Sequence, residues 1–294
     1  MFEAPEGGAV VRFADLNPTW NTMHAREAGY LRWVVSYYGG VEGQINDNPE
    51  TGLVSDRTAA GMMWLAAGNR QFGVHRHTVA EIYVILRGRV ESIEPGRRTQ
   101  AGPLDCLYMP AGAPHAVRAI GGEDVQLLWC HDENETLGLS EYFGEDDERW
   151  HDEGPGVQVV RWAELQPRWE APGGRRGGTL RWSASWAGCE RGEVPIDPGV
   201  GAASERVGLG TTVLPPGNSH VPHAHDVAEH YVVVSGRAAV HGAPSRRVLE
   251  PSDYVGFAAG QPHALRAVGT EPLQLIWLQE GPAATSSYAT GTEG

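Results

Sequence analysis

The sequence contains no lysine. All 23 basic residues among its 294 are arginines, so neither a Schiff-base lysine nor a lysine-anchored pyridoxal phosphate can operate here. Cysteine is scarce. Cys106, Cys130 and Cys189 are odd in number and form no CxxC pair, which argues against a disulfide framework and a zinc knuckle and points to a reducing compartment, the cytoplasm. Long apolar runs are missing, so no segment is expected to span a bilayer. The start, Met1-Phe2-Glu3-Ala4-Pro5, has neither the basic residues nor the apolar stretch of a secretory signal. Positive charge is outnumbered by 37 acidic residues, for a net charge of −14. A surface this acidic repels a phosphate backbone, so nucleic acid is not an expected partner. Long amphipathic helical patterns are lacking too, which removes the parallel α/β folds.

What the chain has in quantity is internal similarity. Val10-Val11-Arg12-Phe13-Ala14-Asp15-Leu16 returns as Val159-Val160-Arg161-Trp162-Ala163-Glu164-Leu165, and Leu31-Arg32-Trp33 returns as Leu180-Arg181-Trp182, both at an offset of 149. After one deletion the offset is 148: His75-Arg76-His77-Thr78-Val79-Ala80-Glu81 matches His223-Ala224-His225-Asp226-Val227-Ala228-Glu229, and Gly112-Ala113-Pro114-His115 matches Gly260-Gln261-Pro262-His263. The duplication sets the expected boundaries: an N-terminal domain over 1–134, an acidic surface connector over 135–156, a C-terminal domain over 157–281 and a loose tail over 282–294. Within each half the pattern is β. Tyr83-Val84-Ile85-Leu86 and Tyr231-Val232-Val233-Val234 are β-branched and aromatic-rich, and each runs into a glycine turn, Gly88-Arg89 or Gly236-Arg237. With 39 glycines and 20 prolines, short strands with frequent turns predict an all-β protein of two sandwich or barrel domains.

The same repeats carry the chemistry. Residues i and i+2 of a strand share a face, so His75 and His77 can aim two imidazoles at one point, as can His223 and His225. Glu81 and Glu229 follow four residues later, at the head of the next apolar strand. His115 and His263 follow each glutamate by 34 residues, just after a Gly-x-Pro turn. Imidazoles with one carboxylate suit Fe, Mn, Ni, Cu, Co or Zn rather than Mg or Ca. A single HxH is weak evidence of a metal site; the whole pattern twice, at identical internal spacing, is strong. The candidate ligands are therefore His75, His77, Glu81 and His115 in one half and His223, His225, Glu229 and His263 in the other.

These residues resemble the cupin superfamily, specifically its two-domain members, the bicupins. The family's first motif is similar to Gly217 through Gly236 throughout; in the first half its leading glycine, Gly68, lies one place early. The second motif resembles Pro110-Ala111-Gly112-Ala113-Pro114-His115 and Ala259-Gly260-Gln261-Pro262-His263, with Leu104 and Ser252 in place of its leading glycine and Ala119 and Ala267 in place of its closing asparagine. The resemblance implies two tandem jelly-roll β-sandwich barrels with a divalent transition metal in each, Fe(II) favoured and Mn, Ni, Cu, Co or Zn compatible. It implies a metal-dependent enzyme, foremost a non-haem Fe(II) dioxygenase acting with O₂ on a small, partly hydrophobic or aromatic substrate. Gentisate-type bicupins match less well because they lack the glutamate. The alternatives are a non-redox isomerase, lyase or aminohydrolase using the metal as Lewis acid, and a small-molecule binding protein of the storage type. A homodimer is compatible with the resemblance.

Other residues are weighed by strand alternation. Tyr83 and Tyr231, two after the glutamates, point inward and are candidate catalytic acids as well as core residues; Trp129 and Trp277 join the same pocket. Arg118 and Arg266 point outward. Arg32, Arg181, Arg57 and Arg206 are read as structural ion pairs or stacking arms in preference to forks for a carboxylate. His230 is expected on the opposite face from the metal and His220 near the site mouth, both as satisfied or solvated histidines. His131, His151 and His241 have no ligand geometry.

Overall fold

A computed structural model of the chain describes residues 1–294 apart from 21, 23, 40–50, 52, 134–139, 145, 152–153, 242–247 and 289–294. Among the described residues the helical elements are three 3₁₀ turns, Phe13–Asp15, Glu148–His151 and Trp162–Glu164; all other regular structure is β. None of it is a helix long and apolar enough to cross a membrane.

The chain forms two compact units, residues 16–164 and residues 1–15 with 165–294. In the first, a six-stranded sheet runs in the order Gln158–Val160, Cys106–Met109, Glu81–Arg87, Val125–His131, Ala59–Leu65, Arg32–Tyr38, beside a three-stranded sheet of Arg97–Ala101, Arg89–Glu94 and Ala116–Ile120. In the second, a seven-stranded sheet runs Ala9–Val11, Tyr254–Phe257, Glu229–Ser235, Leu273–Gln279, Gly208–Leu214, Trp182–Gly188, Ala202–Ala203, beside Val248–Leu249, Arg237–His241 and Ala264–Val268. Each unit is thus a two-sheet β barrel, as expected.

These units depart from the boundaries read at 134 and 157. The opening strand of each repeat belongs to the other repeat's sheet: Ala9–Val11 pairs with Tyr254–Phe257, and Gln158–Val160 pairs with Cys106–Met109. The reason is burial and pairing at equivalent edges. Val10 packs on the core of the second unit and Val159 on that of the first, while Arg12 reaches Asp253 and Arg161 reaches Asp105, at 2.5 and 2.9 Å.

The connector and the tail are corrected as well. Glu141–Phe143, inside the stretch read as a surface connector, is a strand paired with Val74–Arg76. Phe143 and Trp150 supply the apolar area, buried with Val74, Ile93 and Ala116. The surrounding acids are neutralised by arginine, as in Arg76–Glu141 at 2.7 Å. Ser286–Tyr288, in the stretch read as a loose tail, pairs with His223–His225. The remainder of both stretches lies partly outside the described residues.

The cores are the inward faces of the central strands: Met63, Leu65, Tyr83, Ile85, Leu107, Leu127 and Trp129 in one, Tyr231, Val233, Phe257, Leu275 and Trp277 in the other. Each indole crosses the sheet over a glycine. Trp129 pairs with Gly61 and Trp277 with Gly210; a Cβ on Gly61 would lie 2.0 Å from Val35 O, and one on Gly210 2.2 Å from the Trp277 ring. Leu104 and Ser252, which replace the second motif's leading glycine, keep the left-handed backbone that glycine favours, with φ of 66° and 71°.

Candidate metal centres

Three local features assemble each centre. The short strands Val74–Arg76 and His223–His225 hold the HxH pairs. The first residues of Glu81–Arg87 and Glu229–Ser235 supply the carboxylates. His115 and His263 return against the HxH strands by main-chain bridges, His75 to His115 and His223 to His263. All eight side chains are buried. In each group one donor atom per residue lies within 4.8 Å of all the others. The structure therefore brings together every ligand candidate read from the spacing.

The donor distances suit a metal. Glu81 Oε2 lies 2.8, 3.2 and 3.5 Å from Nε2 of His115, His77 and His75. Glu229 Oε2 lies 2.8, 2.9 and 3.9 Å from Nε2 of His263, His225 and His223. Ligands about 2.0–2.2 Å from one ion stand roughly 3 Å apart when adjacent. Nε2 of His225 is buried and aimed at the cluster without the alignment of a hydrogen bond, as an atom meant for a cation would be. The outward nitrogens are held by the chain: Nδ1 of His115, His223 and His263 meet the carbonyls of Ala113, Val221 and Gln261 at 2.8, 2.8 and 2.9 Å, and Nδ1 of His77 and His225 meet Ser140 Oγ and Ser286 Oγ at 3.2 and 3.0 Å. Such partners select the tautomer that leaves Nε2 free to ligate.

Electrostatics agree. Burial alone would raise the Glu229 carboxyl, but the facing imidazoles of His225 and His263 hold it well below the ordinary carboxylate range; His77, His115 and His131 do the same for Glu81. Burial, helped by neighbouring imidazoles, drives His75 well below its usual value and brings His223 down to about 4. Both carboxylates are thus held ionised and His75 and His223 neutral, the protonation states that bind metal; at His225 burial is outweighed by the charge and hydrogen bond of Glu229, which raise the imidazole.

The inward tyrosines behave differently in the two barrels. Tyr231 donates to Glu229 Oε2 at 2.7 Å, whereas the Tyr83 hydroxyl accepts from Gln71 Nε2 at 3.1 Å. Burial first, and then the glutamate charge, pushes both phenols well above their usual range, so both hold their protons.

Several residues were misjudged in the sequence. His131 touches the first centre, its Nε2 3.3 Å from Glu81 Oε1. Alternation from Leu127 and Trp129 places it inward, and that signal was in the sequence. Its counterpart, Gln279, donates to Glu229 Oε1 at 3.0 Å. The position of Gln71 corresponds to His220, so each barrel has one glutamine and one histidine there, in exchanged places. His220 is buried beside His223 and Tyr231, ring centroids 5.7 Å from each, and its Nδ1 is buried with no hydrogen-bond partner among the described residues, so that nitrogen is neither satisfied nor solvated. Arg32 and Arg181 are buried and, among the described residues, make no ion pair with a carboxylate and stack on no ring, so the reading as ion pairs or stacking arms fails for them. Arg57 and Arg206 are exposed, and Arg118 and Arg266 point out as expected. His230 is on the far face, bonded to Tyr254 Oη at 2.7 Å.

The paired strands from connector and tail also wall the sites, which no motif announced. Tyr142 stacks on His75 and Tyr288 on His223, at 4.9 and 5.6 Å. The spaced Ser140-x-Tyr142 and Ser286-x-Tyr288 are the only trace of this in the sequence. In the second unit a cavity opens onto the cluster, lined by Arg181, Ser183, Glu193, Thr212, His220 and Tyr231 among others.

Two barrels with paired His₃Glu clusters define the class. The cupin domain family matches residues 61–131 and 210–279, one stretch in each barrel, so the chain carries two cupin domains, the arrangement of a bicupin. Among solved structures it is similar to oxalate decarboxylase of Lactobacillus farciminis, a formate complex (TM-score 0.60, 15% identity, 95% of this chain and 88% of that one). It is similar to the Bacillus subtilis oxalate decarboxylase studied for its Mn(II) centres (TM-score 0.62, 16% identity, 97% and 80%). It is also similar to salicylate 1,2-dioxygenase of Pseudaminobacter salicylatoxidans (TM-score 0.65, 16% identity, 93% and 88%). At these identities the likeness is one of fold. In sequence it is similar to the dimethylsulfoniopropionate lyase DddQ of Ruegeria pomeroyi, 33% identical over 91 residues, 31% of this chain; the match spans less than half of that relative, 45%.

Proposed function

We propose that the protein is a metal-dependent enzyme holding one divalent transition ion per barrel, on His75, His77, Glu81 and His115 and on His223, His225, Glu229 and His263, and that it is a non-haem iron dioxygenase acting on a small, partly hydrophobic organic substrate. The observation that carries this reading is the convergence of three imidazoles and one carboxylate in both barrels. Those four side chains would hold such an ion and would leave part of its coordination sphere for other ligands. Such an ion supplies Lewis acidity and, as iron, one-electron exchange with O₂. Around it the chain does the rest. Ser140 and Ser286 orient the HxH pairs, Tyr231 holds a proton at the carboxylate oxygen, and Trp277 and Val194 give the second cavity an apolar side. The dioxygenase among the fold neighbours supports the reading. The test is O₂ uptake against product by the iron-loaded chain over a panel of aromatic and aliphatic acids and enols. One O₂ consumed per product is expected; turnover under strict anaerobiosis with Mn, Ni or Zn would overturn it.

A second reading, a lyase or other non-redox enzyme, has its own support. Tyr231 is bonded to Glu229 within the cavity and so stands where a phenol can pass a proton to or from substrate, and the sequence relative is a lyase. The anaerobic arm of the same experiment decides between the two.

A further inference from the structure

Arg181 ends up where a guanidinium is costly to keep. It is 5% exposed, and among the described residues its only side-chain hydrogen bond runs to Pro172 O at 3.2 Å and no carboxylate pairs with it. The duplicated position, Arg32, is also 5% exposed and has only the sulfur of Met63 at 3.7 Å. A buried charge without a partner costs several kcal/mol in order of magnitude. Both barrels keep this charge, and in the second it lines the same cavity as His223, His225 and Glu229. A second unmet group faces that cavity: His220, 4% exposed, with Nδ1 unbonded.

We propose that Arg181 is the anchor for a substrate carboxylate in the second barrel, with His220 as its polar neighbour, so that this site takes a small organic monocarboxylate bearing a hydroxyl or keto group. This rests on the metal reading above. The charges favour one negative group. A divalent ion and Arg181 bring three positive charges; Glu229 and Glu193, the latter held by the hydroxyls of Ser286 and Tyr288, bring two negative. One positive charge remains. A planar guanidinium takes a carboxylate through two parallel N–H bonds, and a buried fork does so with little competition from water. The rest of the wall indicates the polar substituent. Ser183 and Thr212, joined by a 2.7 Å hydroxyl contact, line this cavity, where the corresponding positions of the first barrel are Val34 and Met63. This hydroxyl wall therefore belongs to the second barrel alone of the two.

The test uses the full chain, metal-loaded and metal-stripped, titrated calorimetrically with acetate, lactate and benzoate and with acetamide, lactamide and benzamide. Arg181→Met and Arg181→Lys are compared with the wild type, and each protein is also melted alone and with lactate. Expected are binding of lactate in preference to lactamide, a loss of at least about tenfold in Arg181→Met and a smaller loss in Arg181→Lys. Arg181→Met without ligand should melt at or above the wild-type temperature, because removing an unpaired buried charge relieves the fold, and lactate should raise the melting temperature of the wild type and, less, of Arg181→Lys, but not of Arg181→Met. A structural arginine predicts the reverse, a lower melting temperature in Arg181→Met with carboxylate binding unchanged, and that result overturns the proposal. So does the absence of binding by every carboxylate. If the stripped chain takes up no metal yet binds lactate through Arg181, the metal reading fails and the anchor stands.

Discussion

Tyr231 donates its phenolic proton to Glu229 Oε2 over 2.7 Å, and that oxygen is also the one facing His225 and His263. Its counterpart in the first barrel is turned to Gln71. The two barrels share ligands but differ at the group best placed to move a proton.

Tyr231→Phe is therefore expected to lower kcat by about 100-fold or more, the range of a lost general acid or base, while Tyr83→Phe lowers it less than about tenfold. Steady-state kinetics on the two variants, with metal content measured on the same samples, checks this. Equal losses would mean that the phenols serve packing alone.

Ser140 and Ser286 meet the outward nitrogens of His77 and His225, not the ligating ones, and Ser286 also donates to Glu193. Ser286→Ala should weaken metal binding in the second barrel by about 10–100-fold, as expected of a group that orients a ligating histidine, with Ser140→Ala acting likewise on the first. Competition against a chelator of known affinity reads the change, and unaltered affinity in both variants would remove their orienting role.

Glu81→Ala and Glu229→Ala should each reduce the metal bound by roughly one ion per chain, since each removes one of four ligands. Activity should fall far more in Glu229→Ala, because the cavity with Arg181, His220 and Tyr231 lies at that centre. Elemental analysis and turnover measured together test the asymmetry; identical losses in both would contradict it.

Gly210→Ala should destabilise the chain by about 3 kcal/mol, at the upper end for overpacking. The new Cβ meets not only the Trp277 ring but also the backbone carbonyl of Ala184 at 2.3 Å, and a backbone atom in a paired strand yields little. Trp277→Phe should therefore restore only part of the loss. Denaturant melts of the single and double variants measure it, and full rescue would place the whole clash on the indole.

Much of this was legible in the sequence because it is periodic or local. The i, i+2 spacing of His75 and His77, the glutamate four residues on and the Gly-x-Pro turn before His115 describe one strand pair and one turn, and their recurrence from His223 to His263 declared two barrels. Backbone geometry alone converts such spacing into a direction. Tertiary structure decided what depends on pairing between distant segments. Nothing near Ser286 or Glu141 says that these strands will lie beside His225 and Arg76, nor that Ala9–Val11 will join the sheet of the later repeat. Sheet pairing is satisfied by any complementary edge, so the chain's own order does not name the partner. The fate of Arg181 and His220 is of the same kind: whether a polar side chain ends up solvated, paired or buried and waiting is set by the neighbours that fold around it, and those come from five separate strands.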